Sequence, residues 1–90
     1  MTKQPKKLHL TKEHVYKLRQ YHGMSLKEFA ERIGISFVSV HRIETGKMKL
    51  SVKTEARIIE AFGLSVNKLR SVTIHYDKHI AGFKGSNEDE

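Results

Sequence analysis

The chain has 90 residues, room for one domain with a modest core and none for a second. Its 17 lysines and arginines outnumber 10 aspartates and glutamates, for a formal charge of +7, and three of those acids are the last three residues, Glu88, Asp89 and Glu90. An excess of this sign favours a polyanionic partner through counterion release. Cysteine is absent, which excludes disulfides and thiolate metal centres and is compatible with a reducing cytoplasm, and no apolar run reaches the roughly 18 residues of a membrane span, so neither insertion nor secretion is expected.

Residues 1–10 hold Lys3, Lys6, Lys7 and the only proline, Pro5, and read as a flexible basic arm. Thr11 can cap a first helix that runs to about Tyr21, with Val15, Leu18 and His22 on one side, and Gly23 stops it. Ser25 followed by Glu28 is a capping box. The second helix that it opens places Leu26, Phe29, Ala30 and Ile33 in the i, i+3, i+4, i+7 stripe of one buried face.

Gly34 supplies the positive φ of a tight turn, and Ser36 caps a third helix over residues 36–45. Val40 and Ile43 point its inner side to the core, leaving Phe37, Val38, Ser39, His41 and Arg42 at least partly outward. Gly46 ends this helix, and residues 47–50 form a loop. Ser51 caps a fourth helix with Val52, Ala56, Ile59 and Phe62 as its expected inward row, closed by Gly63. Ser65 caps a short fifth helix ending near Leu69 or Arg70, which completes a domain over residues 11–70.

Beyond that point the period changes. Val72, Ile74 and Tyr76 alternate with Thr73, His75 and Asp77, the signature of a strand within residues 71–83. A lone strand needs a partner, and the expected partner is its own copy, paired antiparallel across a two-fold axis as a dimerisation segment. The alternative is a segment folded back over its own bundle, with Ile74 and Tyr76 as core filler. Residues 84–90, rich in glycine, serine, asparagine and acid, read as a disordered acidic tail.

Helix, glycine turn and helix over Ser25–Gly46 is the arrangement that lets a small protein insert a helix into a DNA major groove. Leu18-Arg19, Ser25, Phe29-Ala30, Gly34, Ser36, Val40, Ile43-Glu44 and Gly46 stand in order and spacing, followed by Ala61-Phe62-Gly63-Leu64-Ser65. From about Leu18 to Leu69 the chain resembles the phage-repressor and Cro family of helix-turn-helix proteins, also called the xenobiotic-response-element family. The resemblance implies an all-α, five-helix lambda-repressor-like bundle, here with a short C-terminal β-strand, since Cro-like members also dimerise through such a strand. It further implies a cytoplasmic bacterial or phage regulator that binds a palindromic DNA operator as a homodimer.

Carried over from the family, the base-reading positions fall on Phe37, Val38, His41 and Arg42. The Arg42 guanidinium can grip guanine O6 and N7 together; a solvated or phosphate-directed arginine is the alternative. Phe37 and Val38 depart from the family's frequent polar pair and can touch only thymine methyls or read shape, so a thymine-containing half-site is expected. Val38 could instead pack on the second helix, and His41 could be a solvated helix residue.

The expected phosphate contacts are Ser25 at the start of the second helix, with Lys27 nearby, and Ser36 and Ser39 at the start of the third. Thr45, Lys47 and Lys49 follow in the loop that family members lay along the backbone. Leu26 stands where many relatives have glutamine, which removes one polar contact if it is buried. The resemblance also implies a partly buried ion pair between Arg19 and Glu44, joining the first helix to the end of the third.

No catalytic or metal site is expected, and no cofactor. The six histidines are scattered; His75 and His79 have a spacing that suits zinc on a helix, but they fall in the expected strand and lack accompanying cysteines or carboxylates. A competing role on the same fold is protein binding: an antitoxin that also holds a toxin, a target of an antirepressor, or a coactivator that bridges other proteins.

Overall fold

The computed structural model describes residues 8–81. The first seven residues of the basic arm expected over 1–10, and the acidic tail expected at 84–90, lie outside the described residues. Five α-helices follow in chain order: α1 (Lys12–Tyr21), α2 (Leu26–Ile33), α3 (Phe37–Glu44), α4 (Val52–Phe62) and α5 (Val66–His75), the last running into a π-helical segment, Tyr76–Ala81.

Each helix begins at a serine or threonine whose side chain accepts a backbone N–H three residues on: Thr11 from His14, Ser25 from Glu28, Ser36 from Ser39, Ser51 from Thr54 and Ser65 from Lys68. Such a bond satisfies one of the four N–H groups that a helix leaves orphaned at its start. Five caps therefore fix where five helices begin, independently of how they pack.

The core gathers Val15 and Leu18 of α1, Phe29, Ala30 and Ile33 of α2, Val40 and Ile43 of α3, Ile58 and Phe62 of α4, and Leu69 and Val72 of α5. Phe29 and Phe62 stack with ring centroids 5.3 Å apart and planes 15° from parallel. Leu10 is also buried, so the chain entering α1 is part of the core rather than of a free arm. Its N–H donates to the Glu55 carboxylate of α4 over 2.6 Å.

That contact explains a departure in α4. The expected inward row of Val52, Ala56, Ile59 and Phe62 is not the one observed: Val52 is 72% exposed and Ala56 is exposed, whereas Ile58 is fully buried. The inner face is Glu55, Ile58, Ile59 and Phe62, again an i, i+3, i+4, i+7 set. Its first member is a carboxylate that turns inward to receive Leu10, so hydrophobicity alone does not mark it.

The expected strand is not formed, and there is no strand among the described residues. α5 continues through Val72 and Ile74 to His75, and the π-helical segment follows. Leu69, Val72 and Tyr76 share the inner face at i, i+3 and i+7 and are buried in the protein's own bundle, while Ile74 is 47% exposed. Alternation over five residues is compatible with both periods. The helix prevails because it is already capped and propagating at Ser65, and every added residue closes its own backbone bond, whereas a lone strand leaves them open. Tyr76 meets Tyr16 of α1 edge-on at 6.0 Å, and Lys17 bridges to Asp77 at 3.2 Å, tying the segment to α1. Val72, Ile74 and Tyr76 thus do not form a pairing strand.

Candidate nucleic-acid interface

The interface is built on α2, the turn at Gly34 and α3. Gly34 has φ of 78°, a left-handed conformation that any Cβ would strain. Its N–H and that of Ile35 both return to the Ala30 carbonyl, at 2.8 and 3.0 Å, ending α2 and turning the chain at once into α3. From α4, the Arg57 guanidinium donates to the carbonyls of Gly34 (3.1 Å) and Ile33 (3.4 Å). Arg57 therefore braces the turn that aims α3. Nothing local in the sequence marks this role, because its acceptors are 23 and 24 residues away and belong to the backbone.

The position of α3 is set by two anchors. Val40 and Ile43 are buried in the core. At its far end, Arg19 of α1 holds Glu44 through a two-pronged ion pair, Nε to Oε2 at 2.7 Å and Nη2 to Oε1 at 3.0 Å. The third arm of the guanidinium donates to the Met24 carbonyl at 3.0 Å, so α1, the α1–α2 loop and the end of α3 share one joint. The fork geometry of arginine suits this bidentate grip.

With that face committed, the opposite face is free. Phe37 is 52% and Val38 45% exposed, and His41 and Arg42 are exposed. The four positions follow i, i+1, i+4 and i+5 and form one outward stripe over the first turn and the next. Val38 does not disappear beneath α2. Arg42 enters no side-chain hydrogen bond or ion pair among the described residues, so its five donors are available.

The expected phosphate residues differ in what they have left to offer. Lys27, Lys47 and Lys49 are exposed and unpaired among the described residues. Ser36 accepts from the Ser39 N–H and donates its hydroxyl proton to Ser39 Oγ at 3.0 Å. Thr45 donates its hydroxyl proton to the His41 and Arg42 carbonyls, closing the end of α3. At Ser25 the capping box is reciprocal: Glu28 accepts the Ser25 N–H at 2.9 Å, which places a carboxylate beside the α2 N-terminus. An anion there would meet a negative neighbour and must rely on the Ser25 hydroxyl and Lys27. Leu26 is partly buried against the core, so the polar contact absent from its position is not supplied by it.

The sequence argument against His75 and His79 as a helical pair falls with the strand: both stand on the helical C-terminal element, with ring centroids 4.8 Å apart. Among the described residues, however, no group of three histidine, cysteine, aspartate or glutamate side chains could hold a metal. No helix among the described residues is long and apolar enough to cross a membrane.

Neither the comparison with curated proteins nor that with solved structures gives a match. Against known protein families, residues 15–69 match the helix-turn-helix family, more than half of the chain and the whole span from the core of α1 to the first turn of α5. The chain therefore belongs to the helix-turn-helix family of the xenobiotic-response-element type, a family of DNA-binding transcription regulators and not of enzymes.

Proposed function

We propose that the protein is a sequence-specific repressor that binds an inverted-repeat operator as a homodimer, with α3 of each copy in a major groove. The observation that carries this reading is the outward stripe of Phe37, Val38, His41 and Arg42 on α3, whose other face is fixed by Val40, Ile43 and the Arg19–Glu44 pair. Arg42 is assigned to guanine O6 and N7, and Phe37 and Val38 to thymine methyls. Lys27, Lys47 and Lys49 provide phosphate contacts that position the stripe, with the hydroxyls of Ser25 and Ser39 contributing from helix starts, while those of Ser36 and Thr45 are spent within α3. One α3 reads only a few base pairs, so two copies on half-sites about 34–36 Å apart give useful specificity. Bound across a promoter in the cytoplasm, such a dimer excludes polymerase.

Selection of bound duplexes from a random DNA pool tests the reading. The expected product is an inverted repeat with half-sites about one helical turn apart, carrying guanine and thymine. Arg42→Ala should relax preference at one base pair per half-site, at a cost of about 1–3 kcal/mol. A pool that yields no enriched motif refutes sequence-specific repression and favours the protein-bridging role. An unchanged motif with Arg42→Ala refutes the assignment of Arg42.

A further inference from the structure

The cleft between the start of α1 and the loop after α3 is lined by Lys12, Lys47 and Lys49 over a floor that includes Leu10 and Leu50. No acidic side chain lines it, and none of its three lysines makes an ion pair among the described residues. Like charges drawn around one opening repel each other unless an anion occupies it.

Lys12 is placed there by a specific feature of the loop. Gly46 has φ of 82°, and a Cβ at this position would lie 3.1 Å from the Lys12 ammonium and 3.6 Å from its Cδ. The lysine stem therefore runs across the bare backbone of Gly46, and glycine provides both the turn and the space. The loop itself is fixed to the recognition helix, because the N–H groups of Lys47 and Met48 both return to the Arg42 carbonyl, at 2.8 and 3.1 Å. The cleft is thus held in register with Arg42.

Helix stability does not account for a lysine at this place. Lys12 is the first residue of α1, where the positive end of the helix dipole disfavours a cation. Its ammonium lies instead across the cleft, beside Gly46.

We propose that this cleft seats a phosphate of the DNA backbone, with Lys12 of α1 joining Lys47 and Lys49 as a third cation. This rests on the DNA-binding reading and adds α1 to a contact surface otherwise confined to α2, α3 and the loop after it. The contact is sequence-independent: it strengthens binding and fixes the depth of α3 without choosing bases.

The test is the salt dependence of binding to a short mixed-sequence DNA duplex, read by fluorescence anisotropy, for the parent, Lys12→Gln and Lys12→Arg. Loss of one phosphate contact lowers the slope of log affinity against log salt by about 0.9. The parent's advantage over Lys12→Gln should then shrink about 3.5-fold between roughly 50 and 200 mM salt. Lys12→Arg should keep the parent slope. Urea unfolding of the same variants separates a cation that merely offsets the end of α3, whose loss would alter stability and leave the slope unchanged. A Lys12→Gln slope equal to that of a DNA-binding parent overturns the cleft alone. A parent with no salt-dependent binding overturns the DNA-binding reading, and the cleft with it.

Discussion

Removing the Glu44 carboxylate leaves the Arg19 guanidinium in place without its counter-charge. The Arg19 and Glu44 side chains are only 12% and 7% exposed, so water cannot fully replace the lost partner. Breaking a buried pair of this kind costs roughly 3–5 kcal/mol. Arg19 keeps its bond to the Met24 carbonyl and its position 5.5 Å from the Tyr16 ring centroid, which places Glu44→Ala at the low end, about 3 kcal/mol. A small domain holds about 0.05–0.15 kcal/mol per residue, so this is a large share of the total. At about 4–8 °C per kcal/mol, the melting temperature should fall by about 12–24 °C.

Urea unfolding followed by circular dichroism measures the loss directly, and DNA affinity read well below the new midpoint should also fall, because the end of α3 loses its tether. The double variant Arg19→Met with Glu44→Leu removes both charges and should recover most of the stability, since a well-packed apolar pair often equals a buried ion pair. Glu44→Ala unfolding within about 0.5 kcal/mol of the parent, the range of an ordinary surface change, refutes this account of how α3 is held.

Stability should also depend on pH through two histidines. Burial, followed by the charge of Lys17, lowers the pKa of His14, whose neutral Nδ1 accepts the Thr11 N–H at 3.0 Å. Burial, followed by Lys68 and Arg32, lowers that of His22, whose ring lies 4.9 Å from Phe62. The unfolded chain then binds protons first, so stability is full above the ordinary histidine pKa of about 6.5 and falls as pH drops below it, levelling once the folded groups protonate. Urea midpoints across this range check the sign, and a midpoint that stays level or rises on acidification contradicts it. Gly34→Ala should cost about 1–2 kcal/mol from its left-handed φ. The new Cβ would also stand 3.0 Å from Arg57 Nη1, so thermal unfolding of Gly34→Ala with and without Arg57→Gln should show non-additive losses. Val72→Ala should cost about 2–3 kcal/mol as a fully buried side chain, and Ile74→Ser less than about 0.5. Equal losses at the two positions would contradict the helical register of α5.

The sequence by itself determined where the helices start, the turn between α2 and α3, and which face of α3 is outward. Those features depend on neighbours within one or two turns: a hydroxyl meets an N–H three residues on, a glycine takes a left-handed φ, and Val40 and Ile43 recur at helical spacing. Ser25, Gly34 and Ser36 carry that information in their own chemistry. The Arg19–Glu44 joint was legible only through family resemblance, because 25 residues separate the partners.

Only the tertiary structure decided the fate of residues 71–81, the rotation of α4 and the support of the turn. Val72, Ile74 and Tyr76 satisfy a period of two, whereas Leu69, Val72 and Tyr76 satisfy a helical one that leaves Ile74 outside. The α1 surface presented by Tyr16 and Lys17 provides partners for the helical choice. Glu55 faces inward because the Leu10 N–H requires an acceptor there, and Arg57 reaches back to Ile33 and Gly34 because the fold brings α4 beside them. In each case the deciding bond joins groups distant in the chain, and a pattern of single-residue hydrophobicity contains no term for it.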